Sequence, residues 1–209
     1  MMPWKYIREL PGTIPVNVPD GQSGPWSVST FTVSKEDADF GAMRAIVGSD
    51  RGRYVPEGAY KALKRGGTVV MSNTPDEIRD CYDFFRAAQG RVLINGLGLG
   101  IAMDVILNKV NLKGEPSVKE VVVIEKSYDV FKLVAPTFIQ DKRVQILIAD
   151  AMEFKPEGRF DAVWNDIWDF ICGDNLKDMD KLHKKYVRRT SWQGSWCQEQ
   201  CEGMSGSRR

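Results

Sequence analysis

The sequence contains little of the chemistry on which metal centres and disulfide scaffolds depend. His183 is the only histidine, and of four cysteines only Cys197 and Cys201 lie close together, at a spacing that suits one helical turn better than a zinc knuckle. With no second ligand pair elsewhere in the chain, we expect no bound metal. The cysteines are expected to be the reduced thiols of a cytoplasmic protein.

Long apolar runs and a large net charge are also missing. No apolar stretch approaches the roughly 18 residues of a membrane-spanning helix, so no membrane partner is expected. The opening MMPWKYIRELPG lacks the apolar run and cleavage site of a secretory signal. Since 29 basic and 28 acidic side chains give a net charge of +1, no global field draws the chain to nucleic acid. The basic stretch 183–189 is interpreted as the solvated end of a helix, with a phosphate contact as the alternative.

The composition is otherwise ordinary, and the pattern changes along the chain. The 209 residues suffice for one domain and an appendage. Residues 1–35 are rich in Pro, Gly, Ser and Thr, and residues 1–73 as a whole predict a small α+β, β-rich N-terminal region. Within it, 26–34 alternates like a strand and 58–65 is interpreted as a short helix.

A clearer helix is predicted over residues 74–90. Thr74 is a suitable N-cap, and Pro75 occupies the first helical position, where its missing N–H costs nothing. Glu77 completes a T-x-x-E capping box, and Gly90 ends the helix.

From Arg91 onward, predicted strands alternate with predicted helices. The strands cover 91–95, 119–125, 143–149 and 160–166, and a helix follows at 175–189. Strands joined through helices predict an α/β fold with a Rossmann-like, doubly wound parallel sheet. We therefore divide the chain into the N-terminal region 1–73, a cofactor-binding domain 74–189 and an irregular C-terminal tail 190–209, which could add a fifth strand at best.

The stretch RVLINGLGLGIAMDVIL, residues 91–107, predicts a strand, a turn with three glycines and a helix. In doubly wound sheets, ligands bind beyond the carboxyl ends of the strands, and glycines let the backbone approach them closely. Free N–H groups at the start of the helix would face the same ligand. The bulky Ile101 stands where a dinucleotide fingerprint needs a small residue, which disfavours NAD and FAD. A mere tight turn is the alternative.

Acidic residues follow the next three predicted strands. Glu125 ends the second, where a carboxylate can accept both hydroxyls of a ribose. Asp150 and Ala151 end the third, where an acid can meet the amino group of an adenine and a small residue leaves room for its ring. Asp166 ends the fourth strand and faces the same crevice. The alternatives are a solvated strand-end glutamate and aspartates that only form turns.

This set of strand ends resembles the class I S-adenosylmethionine-dependent methyltransferases, over roughly residues 90–170. The preceding segment GGTVVMSNTPDEIRDCYDFFRAAQGRVLINGLGLG is similar to the way spermidine synthases enter their cofactor domain. The chain therefore resembles a spermidine-synthase-like member of that superfamily, and also short stand-alone forms encoded by phages.

The resemblance implies S-adenosylmethionine as the cofactor and a set of residues that would bind it: Asn95, Gly96, Gly98, Gly100, Glu125, Asp150 and Ala151. The glycines would pass its methionine part, Glu125 would hold the ribose, and Asp150 and Ala151 would frame the adenine. Asn95 stands at or near the point where many methyltransferases carry an acid, and its amide oxygen can still accept a hydrogen bond. Asp166 would be the catalytic acid that orients and deprotonates an attacking amine.

Two departures from the spermidine synthase pattern favour methyl transfer over aminopropyl transfer. Leu99 replaces the aspartate of the glycine turn, and Asp166 opens D-I-W-D-F rather than D-S-S-D-P. Three functions remain open: methyl transfer to an unknown acceptor, aminopropyl transfer, and nucleoside binding or a structural role without catalysis.

The chain is short for the complete methyltransferase fold. Only about 40 residues follow the fourth strand, and the family's closing antiparallel hairpin is absent, so the fold is expected to be truncated. An exposed parallel edge invites pairing, which predicts self-association as a homo-oligomer.

Overall fold

The computed structural model describes residue 14 and the ranges 16–47 and 54–206. An antiparallel sheet comes first along the chain, and a parallel sheet with helices on both faces follows. The expectation for the opening MMPWKYIRELPG lies outside the described residues. Every helix within the described ranges is too short or too polar to cross a bilayer.

The antiparallel sheet is a four-stranded meander that carries one helix. Its elements are β1 (Gly21–Ser23), β2 (Trp26–Val33), α1 (Lys35–Val47), β3 (Gly58–Arg65) and β4 (Thr68–Ser72). Gly66 and Gly67 join β3 to β4 with φ of 57° and 85°, as a two-residue hairpin turn requires. The short helix expected at 58–65 is wrong, because β3 pairs with β2 along its whole length and this pairing overrides the local preference of its residues.

Two short helices, α2 (Pro75–Asp80) and α3 (Tyr82–Ala87), replace the single helix expected at 74–90. The chain leaves the helical path at Cys81, whose φ and ψ are −97° and 0°. Thr74 makes no side-chain capping bond, so the expected capping box is absent. Glu77 instead accepts hydrogen bonds from the N–H and the hydroxyl of Ser72, both at 2.7 Å. The carboxylate thereby ties α2 to the end of β4.

The second sheet is fully parallel, with the spatial order β7-β6-β5-β8-β9. Its strands are β5 (Gly90–Asn95), β6 (Val118–Glu125), β7 (Val144–Ile148), β8 (Phe160–Asn165) and β9 (Thr190–Ser195). The direction of winding reverses between β5 and β8, and a crevice opens at such a switch point. The predicted Rossmann-like α/β sheet is confirmed.

Helices cover both faces of the parallel sheet. They are α4 (Ile101–Leu107), α5 (Tyr128–Val134), α6 (Asn175–Tyr186) and α7 (Gln198–Gly206). Side chains alternate across β5, so Val92 packs into the core shared with α2 to α5, whereas Leu93 packs against Leu182 and Tyr186 of α6. The two faces therefore carry separate apolar cores.

The C-terminal tail was expected to be irregular, but it forms a strand and a helix. β9 pairs parallel with β8, from Phe160 opposite Thr190 to Asn165 opposite Ser195, and α7 packs against α6. Apolar and polar residues alternate poorly in the β9 sequence TSWQGS. However, α6 returns the chain to the start of β8, where a fifth strand can pair. Self-association through an exposed edge of the parallel sheet stays a prediction, as does the domain boundary at residue 73.

Lys109 stabilises the junction between α3 and β5. Its buried Nζ donates hydrogen bonds to the carbonyls of Phe85, Arg86 and Ala88 at 3.0, 2.8 and 2.6 Å. Replacing Lys109 by methionine should lower the free energy of unfolding by about 2 kcal/mol, because carbonyls at the end of α3 lose a buried donor. Denaturation by urea measures the loss, with the exposed Lys113→Met as the control. A loss no larger than the control's would contradict this role.

Candidate functional site

A cavity of about 490 Å³ lies at the carboxyl ends of the parallel strands. The glycine turn after β5 and the loops after β6, β7 and β8 form its floor. The hairpin of β3 and β4 contributes lining residues from the antiparallel sheet, including Leu63 and Met71. The volume falls within the range of roughly 300–1,000 Å³ typical of small-molecule sites.

Six of the eight residues predicted for the site line this cavity: Gly96, Gly98, Glu125, Asp150, Ala151 and Asp166. They come from four strand ends that are far apart in the sequence. The parallel pairing of β5 with β6 and β8, and of β6 with β7, brings all four ends to one edge. Asn95 and Gly100 are not among the lining residues.

The three glycines of the turn have positive φ values of 101°, 52° and 74° at positions 96, 98 and 100. A side chain at Gly96 would collide with the backbone carbonyl of Asp166, so this glycine lets the β5 and β8 loops approach each other. Gly100 does not line the cavity, and a side chain there would collide with the ring of Phe138, so its expected ligand contact stays a prediction. Gly98 is the position at which the turn meets Met71.

Glu125 is buried at the end of β6, with 8% of its surface exposed. One carboxylate oxygen accepts the N–H of Leu97 at 2.9 Å, and the other accepts the N–H of Ser127 at 2.6 Å. Burial raises the pKa of Glu125, and these backbone hydrogen bonds oppose the rise. The N–H of Lys126 also lowers this pKa by a hydrogen bond, so three of the carboxylate's roughly four lone-pair sites are used and one remains for a donor from the cavity.

Asp150 and Ala151 form the wall beyond β7. The carboxylate of Asp150 accepts Nζ of Lys126 and the N–H of Met152, both at 2.8 Å, so it forms a turn and also faces the cavity. Its pKa is lowered, chiefly by Lys126, which keeps it ionised. The carbonyl of the buried Ala151 accepts Nζ of Lys185 at 2.7 Å, which fixes this loop to α6.

Asp166 lies in the cavity with a strongly perturbed carboxyl group. Burial, together with the negative charges of Glu77 and Asp80, raises its pKa to about 7. Glu77 lines the same cavity from α2. The sequence offered only a capping role for Glu77, because nothing local indicates that α2 packs over the end of β8.

The expected cofactor contact of Asn95 is corrected. Asn95 is fully buried, and its Nδ2 donates to Oδ1 of Asn165 at 2.7 Å. Asn165 in turn donates to the carbonyl of Gly194, and the hydroxyl of the neighbouring Ser195 lies 2.9 Å from Nε2 of His183 on α6. Because side chains alternate along β5, its last residue faces α6 rather than the cavity. These polar side chains form a row across the sheet.

The aromatic residues of β8 and of the segments after it are divided between core and cavity. Trp164 stacks on Phe84 at 5.3 Å and lies 6.4 Å from Trp192, within the core between the sheet and α3. Trp168 and Trp196 line the cavity. Aromatic side chains of this part of the chain therefore contribute both to the core and to the cavity.

The antiparallel sheet supplies lining residues that no sequence motif indicated. Arg65 stands over the ring of Trp26, with 5.2 Å between its guanidinium carbon and the ring centroid, and forms an ion pair with Asp169 after β8. Met71 reaches the glycine turn, where its sulfur accepts the N–H of Leu99 at 3.2 Å. The side chain of Leu99, at the position of the spermidine synthase aspartate, is fully buried in the core.

No family model and no curated protein matches this sequence. Among solved structures, it is similar to an S-adenosylmethionine-dependent methyltransferase of Clostridium acetobutylicum, with 14% identity and a TM-score of 0.39 over 55% of this chain and 43% of the other. The glycopeptide N-methyltransferase MtfA complexed with S-adenosylmethionine matches with 18% identity and a TM-score of 0.39 over 54% and 45%.

The N-methyltransferase NodS of Bradyrhizobium japonicum matches with 14% identity and a TM-score of 0.38 over 53% of this chain and 58% of the other. The matched part of this chain thus spans between 43% and 58% of these three structures. At these identities and TM-scores the likeness is partial and concerns the fold alone.

Proposed function

We propose that the protein binds S-adenosylmethionine in the cavity at the switch point and transfers its methyl group to an acceptor. One observation carries the proposal: a cavity of about 490 Å³ collects acidic and glycine residues from four strand ends that the chain keeps far apart. An apolar pocket with a few convergent polar groups is the usual form of a cofactor site.

The lining residues suit the parts of this cofactor. The carboxylate of Glu125 is buried but not saturated, so it can accept ribose hydroxyls. The ionised Asp150 can accept an adenine amino group, and Ala151 leaves space beside it. The methionine part would pass Gly96 and Gly98.

The chemistry needs alignment and a proton acceptor more than it needs a nucleophile of the protein. When bound, S-adenosylmethionine supplies a methyl group already activated by the sulfonium. The walls of the cavity exclude water and orient the acceptor. Asp166, with a pKa of about 7, can accept the acceptor's proton at its carboxylate near neutral pH.

Aminopropyl transfer is a second candidate because Glu77 and Asp166 line the same cavity and interact electrostatically. Two neighbouring carboxylates suit a cationic amine, although Leu99 contributes no third acid. Incubation with decarboxylated S-adenosylmethionine and putrescine separates the two activities: a polyamine product would replace methyl transfer as the assignment. Nucleoside binding without either product would leave the non-catalytic alternative.

Binding is the first test of the proposed function. S-adenosylhomocysteine, the demethylated product, should raise the melting temperature by several degrees, since a ligand at 100 times its Kd stabilises the fold by about 2.7 kcal/mol. Thermal shift measures the effect, and mass spectrometry of the purified protein should find co-bound cofactor or product. NAD is the control ligand and should cause no shift. Failure of S-adenosylhomocysteine to bind would refute the proposed function.

A further inference from the structure

Met71 occupies the space beside the glycine turn. It lies on β4 of the antiparallel sheet, opposite Leu63 of β3, and reaches across to the turn after β5. Its sulfur accepts the N–H of Leu99 at 3.2 Å, and its terminal atoms fill the position that a Cβ of Gly98 would take. The glycine at 98 therefore makes room for a side chain of the other sheet.

The hydrogen bond between Leu99 and Met71 is weak, although its donor, the backbone N–H of Leu99, is a strong one. A thioether sulfur is a poor acceptor, whereas a carboxylate or hydroxyl oxygen would bind the same N–H more tightly. Met71 is only partly buried and lines the cavity. Its unbranched side chain has three rotatable bonds and can leave at small cost.

We propose that Met71 blocks the path over the glycine turn and that a ligand with an extended chain at that point must displace it. Met71 is then a specificity-determining residue, because a ligand that stops short of Gly98 leaves it in place. The inference rests on the proposed function for the identity of the ligands. The apolar surface of the partly exposed Trp26, which lines the same cavity, can receive the displaced side chain.

Two nucleosides and one substitution test the displacement. S-adenosylhomocysteine carries the amino-acid chain that would pass Gly98, and 5′-methylthioadenosine lacks it. Met71→Ala should bind S-adenosylhomocysteine at least about fivefold more tightly than the wild type, because no population of blocked protein has to be displaced. Its affinity for 5′-methylthioadenosine should be unchanged. Isothermal calorimetry measures both, and Val69→Ala, on the same strand but half-exposed, is the matched control.

A second measurement uses the wild type, so it does not depend on how the variant folds. With ¹³C-methyl-labelled methionine, the Met71 resonance, assigned from its absence in Met71→Ala, should move on addition of S-adenosylhomocysteine. It should stay in place with 5′-methylthioadenosine, which leaves the thioether on Leu99. A Met71 signal that ignores both nucleosides while both bind would overturn the displacement.

The outcomes separate this inference from the proposed function. Equal affinities of wild type and Met71→Ala for S-adenosylhomocysteine, or an equal gain for both nucleosides, would overturn the role of Met71 while leaving the nucleoside site intact. If neither nucleoside binds to the wild type or to any variant, both the inference and the proposed function would be overturned. A gain confined to S-adenosylhomocysteine, with a moving Met71 resonance, supports the inference.

Discussion

Replacement of Glu125 by alanine is expected to weaken the binding of S-adenosylhomocysteine by about a hundredfold or more. Two effects combine. The variant loses the carboxylate proposed to accept the ribose hydroxyls, and hydrogen bonds to a charged group contribute about 1.5–3 kcal/mol each. The N–H groups of Leu97 and Ser127 also lose their acceptor, so the glycine turn is held less firmly. Calorimetry measures the loss.

The control for Glu125 lies on the same strand. Glu120→Gln changes a part-exposed carboxylate that pairs with Arg91 at the other end of β6, and it should leave the affinity unchanged. Glu125→Ala is also expected to lower the free energy of unfolding by about 1–3 kcal/mol, because it leaves buried N–H groups unpaired. Binding is therefore compared well below both melting temperatures. Unchanged affinity would remove Glu125 from the ribose site.

Asp166→Asn is expected to bind cofactor normally but to lose turnover by about a hundredfold or more, the usual contribution of a positioned base. Transfer of a labelled methyl group to a panel of amines, alcohols and thiols measures the rate. In the wild type the rate should rise with pH through about 7, as the carboxyl group ionises. The residual rate of the variant should lack this dependence. A fully active variant would make Asp166 structural.

The same carboxyl group links stability to pH, which needs no knowledge of the acceptor. Because the folded protein raises the pKa of Asp166 from 3.8 to about 7, its stabilising contribution is complete below pH 3.8 and is lost as pH rises through 7. Urea denaturation at pH 5 and pH 8 should therefore show a smaller change for Asp166→Asn than for the wild type. Glu77→Gln removes one cause of the raised pKa of Asp166. The pH at which the stabilising contribution of Asp166 is lost should therefore be lower in this variant. Identical pH dependence in all three proteins would contradict the assignment.

Patterns within short stretches of sequence determined the parallel sheet and most of the cavity floor. The alternation of apolar runs with helices places β5 to β8, and polar residues at the ends of parallel strands necessarily meet at one edge. This is why the sequence alone predicted that Glu125, Asp150 and Asp166 lie at one edge of the sheet. The three glycines were recognisable as a turn because their spacing interrupts an apolar strand.

Contacts between distant segments decided the rest. Residues 58–65 form a strand only because β2 pairs with them. Strand β9, whose sequence predicts a strand only weakly, forms because α6 returns the chain to β8. Asn95 shares the strand end with the glycine turn, yet the alternation of side chains directs it to α6. Met71 and Glu77 reach the cavity from segments whose position no local pattern encodes. Local sequence specifies periodicity and turns, whereas the partner and face of each side chain depend on how whole elements pack.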